Sequence, residues 1–292
     1  MKRPYKVVDV FTNRPLLGNP VAVVLNAEGL DDQAMQRLAR WTNLSETTFV
    51  LPTTQSKADY RLRIFTPQGE VPLAGHPTLG SAHAVLEAGI AAPRAEVLVQ
   101  ECAVGLIEIQ VRRCQMTTRL MLSFPTAEIS PLSTEATSKL EGSLGVKLTS
   151  TVPPARVNVG VTWVVAQVQS LEALLLLRPD FSHLAEFERW LGVAGTSLYA
   201  SYPAGSTSDV EVRSFLPSNG VIEDPVCGSG NAAIAAHRLV AERSFGASRQ
   251  YIASQGQCVG RTGCIFVEEG ARGQIRIGGE CLTCIDGYVQ SN

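Results

Sequence analysis

The sequence has few charged residues and no excess of either sign. Asp, Glu, Lys and Arg make up 18% of the 292 residues, and 25 basic against 27 acidic residues give a formal net charge of −2 at pH 7. Without a basic excess the chain lacks the field that attracts phosphate backbones, so we expect no nucleic-acid partner. The apolar content of 45% argues against disorder and favours a compact enzyme.

Long apolar runs are also missing. The longest strongly apolar stretches, residues 161–168 and 171–177, are much shorter than the roughly 20 residues that span a membrane. The N-terminal residues are typical of a strand, and no apolar core of a signal peptide follows them. We therefore expect no membrane association and a cytoplasmic location.

Cysteine is too scattered for a disulfide framework, since the seven cysteines are an odd number spread along a long chain. Cys281 and Cys284 form a Cys-x-x-Cys pair, but there is no second pair and no histidine at zinc spacing. The surrounding stretch is rich in Thr, Ile and Tyr and does not open a helix, as a redox pair would. No metal site is predicted.

The two halves of the chain resemble each other with a period near 150 residues. Arg40-Trp41 is echoed by Arg189-Trp190, and the Arg-x-Phe-x-Pro motif at 63–67 by the one at 213–217. Each motif leads to a Gly-containing loop and an Ala-rich helix. Because these helices have small side chains all round, each can lie deep inside a curved sheet. The length and the repeat predict two α+β domains.

The first domain is expected at 1–127, and residues from about 282 to 292 are expected to pack back on it. The second domain is expected at 128–292, with the boundary near 124–133. Helices are predicted at 31–41 and 181–190, and Pro77 suits a first helical turn. Ser229 and Asn231 are candidate helix N-caps. Strands are predicted at 61–65, 97–100, 106–111, 156–159, 161–168, 210–215, 264–267 and 274–277.

Two loop-to-helix turns suit an anionic ligand, because a helix N-terminus presents amides and a positive dipole end. Two pseudo-symmetric domains would direct these ends into a cleft between them, where we expect a small carboxylate substrate. The alternative is that both Gly-rich turns merely begin buried helices.

Chemistry is expected where the halves differ. Glu46 has Gly195 as its counterpart, and a partly buried carboxyl has a raised pKa that suits proton transfer near neutral pH; alternatively, Glu46 is an exposed loop residue. His76 is a candidate donor or proton relay, or a structural loop residue. Asp224 could orient a substrate, or only shape an Asp-Pro turn. Cys227, close to a helix start, is expected to have a lowered pKa.

Motifs containing these residues occur in one order along the chain: Asp9-Val-Phe-Thr with Gly18-Asn-Pro-Val-Ala-Val, Asn43-Leu-Ser-Glu-Thr, Phe65-Thr-Pro with Gly75-His-Pro-Thr-Leu-Gly, Glu223-Asp-Pro-Val-Cys-Gly-Ser-Gly-Asn, and Ser254-Gln-Gly with Gly260-Arg. Together they resemble the PhzF-like phenazine-biosynthesis isomerase family over nearly the whole chain. The resemblance implies the diaminopimelate-epimerase-like fold, in which two similar domains each wrap a β-barrel-like sheet around a central helix. It also implies a homodimer that uses no metal or organic cofactor.

The resemblance also implies roles for individual residues. Glu46 would move a proton between two carbons on one face of the substrate, with His76 and Asp224 as its polar partners. The pocket for the substrate carboxylate would be lined by Gly75, Gly228 and Ser229. Ser45 and Asn19 would lie next to this pocket and also bind substrate. In the characterised phenazine enzyme the substrate is trans-2,3-dihydro-3-hydroxyanthranilic acid and the reaction is an allylic isomerisation.

Related epimerases of this fold use two facing cysteines, but this chain has Gly75 and Ser229 at the matching positions. A two-cysteine epimerase is therefore disfavoured, whereas an epimerase or racemase based on glutamate is not. The first hypothesis is a cofactor-independent isomerase of a small carboxylic acid. The alternatives are a non-catalytic ligand-binding dimer, a Glu-based epimerase, and thiol chemistry at Cys227.

Overall fold

The computed structural model describes residues 1–114, 117–149, 152–241, 249–270 and 273–291. The chain forms two units, which we call unit 1 (residues 1–122 and 278–292) and unit 2 (residues 123–277). The described helices are α1 (Asp32–Thr42), α2 (Gly75–Glu87), α3 (Thr134–Leu144), α4 (Leu171–Leu176), α5 (Phe181–Leu191) and α6 (Gly228–Ala241).

The strands are more numerous than the helices and mostly short. They are β1 (Lys2–Val10), β2 (Asn19–Val24), β3 (Thr47–Leu51), β4 (Tyr60–Phe65), β5 (Glu70–Val71), β6 (Val97–Cys102), β7 (Gly105–Cys114), β8 (Thr117–Phe124), β9 (Glu128–Pro131), β10 (Ala155–Asn158), β11 (Thr162–Gln167), β12 (Gly195–Ser201), β13 (Val210–Leu216), β14 (Val221–Asp224), β15 (Arg249–Gln255), β16 (Gly263–Glu269) and β17 (Ile275–Gln290).

The strands of unit 1 close on themselves. Antiparallel pairs join β1 to β2, β3 to β4, β6 to β7 and β7 to β8, and parallel pairs join β2 to β3 and β4 to β6. The long strand β17 then pairs with both β8 and β1, with Lys2 opposite Gln290. This closure makes a β-barrel in which each of these strands has a neighbour on both sides.

Unit 2 repeats the same pairing order. β10 and β11 are antiparallel, β11 and β12 parallel, β12 and β13 antiparallel, β13 and β15 parallel, and β15 and β16 antiparallel. The repeat in the sequence is therefore also a repeat in strand pairing, and the expected α+β class is confirmed. The strand predicted at 274–277 is the start of β17, which also contains Cys281 and Cys284.

Helix α2 is the central helix of unit 1 and is buried along most of its length. Such a helix needs small side chains, because the sheet approaches it on several sides. At Gly80 a Cβ atom would collide with Val21 and would lie 2.9 Å from Val10 Cγ2. Helix α6 of unit 2 is likewise rich in buried alanine, with Ala232, Ala233 and Ala235 at 0% exposure.

The outer helices α1 and α5 match their predicted positions to within a residue and are capped as short-range rules expect. The side chains of Asp31 and Asp180 accept backbone N–H bonds at the two N-termini. One expectation was wrong: Ser229 and Asn231 lie inside α6, which begins at Gly228. Cys227 is the N-cap, since its carbonyl oxygen accepts the N–H of Asn231 at 3.1 Å.

We expect Gly80→Ala to lower the free energy of unfolding by about 1–3 kcal/mol, because the added methyl group overpacks the barrel interior. Gly142→Ala on the exposed face of α3 is the matched control, since a Cβ there has no neighbour within 4 Å. That substitution should raise stability by roughly 0.5–1 kcal/mol through helix propensity. Urea denaturation of both variants checks the prediction, and equal effects would contradict it.

Candidate active site

Glu46 is a largely buried acid, not an exposed loop residue. It follows the loop after α1 and directly precedes β3, where its backbone oxygen accepts the N–H of Ala22 at 3.3 Å. Its side chain is 16% exposed. Burial raises the pKa of the Glu46 carboxyl, and a hydrogen bond with Ser45 opposes that rise. A carboxyl in this environment can accept and return a proton nearer to neutral pH than an exposed one.

His76 lies beside Glu46. It is the second residue of α2 and is 7% exposed, and its Nε2 atom is 3.2 Å from Glu46 Oε2. On the other side of the ring, Nδ1 is 3.5 Å from the amide nitrogen of Asn19, the first residue of β2. The structure therefore brings three predicted site residues together in unit 1. Gly75 and Ser45 are chain neighbours of His76 and Glu46.

The positive charge at the N-terminus of α2 is not balanced by an acidic side chain within its own first turn. Its N-cap residue, Ala74, has no side chain that could bond to the helix amides, and the first turn contains no acidic residue. Pro77 occupies the first turn, as predicted, where a missing N–H does not matter. The positive end of the helix therefore lies at Gly75 and His76.

The remaining predicted residues belong to unit 2. Asp224 ends β14, and its Oδ1 accepts the N–H of Val226 at 3.0 Å, so the carboxylate shapes the turn before α6. Gly228 and Ser229 are the first two residues of α6. The Ser229 hydroxyl accepts a hydrogen bond from the indole N–H of Trp163 at 3.2 Å.

The expectation of a lowered pKa at Cys227 was wrong. Its pKa lies well above the ordinary thiol value, because the side chain is fully desolvated and Asp224 is close. A hydrogen bond from the Gly230 N–H to Sγ, at 3.4 Å, opposes the shift but does not outweigh it. A buried, protonated thiol is a poor nucleophile, so the structure gives no support to thiol chemistry here.

Sequence reasoning assigned no role to Gln255, which organises the start of α6. Its Oε1 accepts the N–H of Cys227 at 3.1 Å and the side-chain amide of Asn231 at 2.8 Å. Its own amide donates to the backbone oxygen of Asp224 at 2.9 Å. The Ser-Gln-Gly motif was visible in the sequence, but only the fold shows that its glutamine fixes this turn.

The strand register confirms that Glu46 and Gly195 occupy equivalent places. Thr47 is paired with Phe65 in unit 1 as Thr196 is paired with Phe215 in unit 2. Glu46 directly precedes Thr47, and Gly195 directly precedes Thr196. A Cβ atom at Gly195 would lie 2.5 Å from the Phe215 oxygen and 2.8 Å from the Trp163 ring. There is therefore no space for a carboxylate at the second position.

Within the described ranges, no group of three or more His, Cys, Asp or Glu side chains could hold a metal ion. None of the helices that the structure describes is both long and apolar enough to cross a membrane.

Comparison with known proteins places this site in context. A protein of Schizosaccharomyces pombe named antisense-enhancing sequence 1 is 37% identical over 97% of both chains. The trans-2,3-dihydro-3-hydroxyanthranilate isomerase of Pseudomonas aeruginosa is 35% identical over 91% of both chains. A crystal structure of a PhzF-family phenazine biosynthesis protein from Bacillus anthracis covers 99% of both chains with a TM-score of 0.90 and 26% identity.

The sequence profile of the PhzC-PhzF family, described as phenazine biosynthesis-like proteins, matches residues 8–287. This match extends over nearly the entire chain and agrees with the full-length relatives and with the shared fold. The chain therefore belongs to the PhzC-PhzF family of phenazine biosynthesis-like proteins.

Proposed function

We propose that this protein is a cofactor-independent isomerase that moves a proton on a small carboxylic acid. The observation that carries the proposal is the buried Glu46 carboxyl with His76 at 3.2 Å. The relative from Pseudomonas aeruginosa, which shares 35% identity, is named an isomerase of trans-2,3-dihydro-3-hydroxyanthranilate. A substrate of the same type is our first choice for this chain.

The mechanism needs one group that both removes and returns a proton. The ionised form of Glu46 would take a proton from a carbon next to a conjugated system, and the protonated form would return it to another carbon. Burial supports both halves of this cycle, because it raises the pKa of the carboxyl and makes its two forms closer in free energy near neutral pH. The substrate's own conjugation would delocalise the negative charge, so the proposal includes no cofactor.

Substrate carboxylate binding is assigned to the start of α2. The positive end of this helix lies beside Glu46, and Gly75 presents backbone without a side chain. His76 would act as the polar partner of the Glu46 carboxyl, from which its Nε2 atom is 3.2 Å away. The role of Asp224 as a second polar partner of Glu46, and those of Gly228 and Ser229 in binding substrate, stay predictions.

We expect Glu46→Gln to abolish proton transfer while preserving the fold, because the amide has the same shape and cannot take the proton. NMR in D₂O would follow isomerisation and deuterium uptake in trans-2,3-dihydro-3-hydroxyanthranilic acid and in a panel of amino and unsaturated acids. Wild type should show one or both, and the rate for Glu46→Gln should fall at least about 10²-fold.

The same spectra separate the alternatives. A shifted double bond identifies an isomerase, whereas exchange with inversion at one carbon identifies a Glu-based epimerase. Ligand-induced stabilisation without exchange for any acid in the panel would favour a protein that only binds. Equal rates in wild type and Glu46→Gln would remove Glu46 from the mechanism.

Glu46→Gln should also stabilise the protein, more strongly at neutral than at acidic pH. Burial raises the folded-state pKa of Glu46 above the ordinary value of 4.5. Between the two pKa values the folded chain binds more protons than the unfolded chain, so the contribution of Glu46 to stability falls as the pH rises. The glutamine variant escapes this loss. Thermal unfolding at pH values from about 4 to 8 should show a Tm difference that grows with pH; a difference that shrinks would contradict it.

Cys227 should resist alkylation in the folded protein, since its side chain is 5% exposed and its pKa is raised by burial. Exposed Cys258 is the internal control and should react first. Mass spectrometry after brief treatment with iodoacetamide reports both sites. We expect Cys227→Ala to retain proton-transfer activity within a few-fold. Rapid labelling of Cys227 together with loss of activity would restore the thiol hypothesis.

A further inference from the structure

Three polar side chains of unit 1 form a short chain that leads to the proposed proton carrier. The amide nitrogen of Asn19 is 3.5 Å from His76 Nδ1, and His76 Nε2 is 3.2 Å from Glu46 Oε2. Asn19 is 2% exposed and His76 is 7% exposed. The order of these contacts determines which atoms carry hydrogen.

An amide nitrogen donates hydrogen bonds and does not accept them. The ring nitrogen that faces it, Nδ1 of His76, must therefore be the acceptor. A neutral imidazole has one N–H group, so its hydrogen lies on Nε2, the ring nitrogen that is 3.2 Å from Glu46 Oε2. The opposite tautomer would place the Nε2 lone pair against a carboxylate oxygen, which is repulsive whenever Glu46 is ionised.

We propose that Asn19 is a positioning residue that fixes His76 in the Nε2–H tautomer. The Nε2–H group of His76 then lies 3.2 Å from Glu46 Oε2, and His76 is not itself the base. That His76 supports proton transfer by Glu46 rests on the proposed function, whereas the tautomer does not.

The backbone holds Asn19 in place for this role. Asn19 is the first residue of β2 and is paired with Val10 of β1. His76 is held by α2, whose next residue is Pro77. Both partners are thus anchored in regular structure, and neither depends on a mobile loop. This role differs from the direct contact with substrate that was expected for Asn19, since the residue acts through His76.

The wild-type protein provides the first test. Two-dimensional ¹⁵N NMR of protein with labelled histidine distinguishes the two neutral tautomers by the shifts and couplings of the ring nitrogens. The chain has four histidines, and the signals missing from a His76→Gln sample assign His76. We expect a protonated Nε2 and an unprotonated Nδ1 near neutral pH. A protonated Nδ1 with an unprotonated Nε2 would overturn the proposal.

Asn19→Asp provides the second test. An aspartate carboxylate accepts hydrogen bonds, so it should draw the hydrogen to Nδ1 and change the tautomer of His76 or charge the ring. We expect kcat to fall about 10–100-fold with a smaller change in KM, as for other residues that orient a reactive group. An unchanged NMR signature of His76 in this variant would show that Asn19 has only a structural role.

Gln100→Glu is the matched control, because it makes the same amide-to-acid change at another buried site in unit 1. Gln100 is 0% exposed and its amide donates to Thr78 at 3.3 Å. It should lower stability and leave the tautomer of His76 unchanged. If the NMR result is as expected but no acid exchanges a proton, the proposed function fails and the tautomer assignment stands.

Discussion

The close approach of barrel and central helix is the constraint on which unit 1 depends. A helix enclosed by a closed sheet must have small side chains where strands approach it, as Gly80 does against Val10 and Val21. This contact fixes the height and rotation of α2 within the barrel. It thereby determines where the first turn of α2 lies, and so places His76 against Glu46. The position of His76 beside Glu46 therefore depends on helix packing at Gly80, four residues further along α2.

The buried carboxyl of the site lowers the stability of the folded chain, whereas the packing of the barrel raises it. A carboxyl is buried at Glu46 although burial disfavours its ionised form, which raises its pKa. A protein selected only for stability would place a neutral side chain there. Partial compensation comes from a hydrogen bond with Ser45, which lowers the pKa of the carboxyl. Such a local conflict between stability and side-chain choice is typical of functional sites.

Much of this architecture could be predicted from local sequence features. The Ala-rich segments and Pro77 predict the central helices, because helix propensity and side-chain size act over a few residues. Glu46 stood out because its counterpart, Gly195, is different. Its proximity to His76, however, followed from the family resemblance and not from spacing, since 30 positions separate the two residues in the chain.

The failures of sequence reasoning share one cause, which is long-range structure. The length of β17 depends on pairing between the two ends of the chain, from Lys2 to Gln290. Asn231 was expected to cap α6, but its amide instead binds Gln255, 24 residues away. At Cys227 the helix start alone favours a thiolate, and burial of the side chain, together with the nearby Asp224, reverses that preference. Each error came from a local rule that a tertiary contact overrode.

The two units show how one scaffold supports an acid in only one of two equivalent places. In unit 1 the second residue of the central helix, His76, faces the carboxyl of Glu46. In unit 2 the second residue of the corresponding helix is Ser229, and it faces the indole N–H of Trp163. The Trp163 ring also fills the space that a side chain at position 195 would need. The ring of Trp163 can occupy this space because residue 195 is glycine and has no side chain. A carboxylate introduced at position 195 would need Trp163 and the Phe215 backbone to move, so this pair of positions holds a single carboxyl group, that of Glu46.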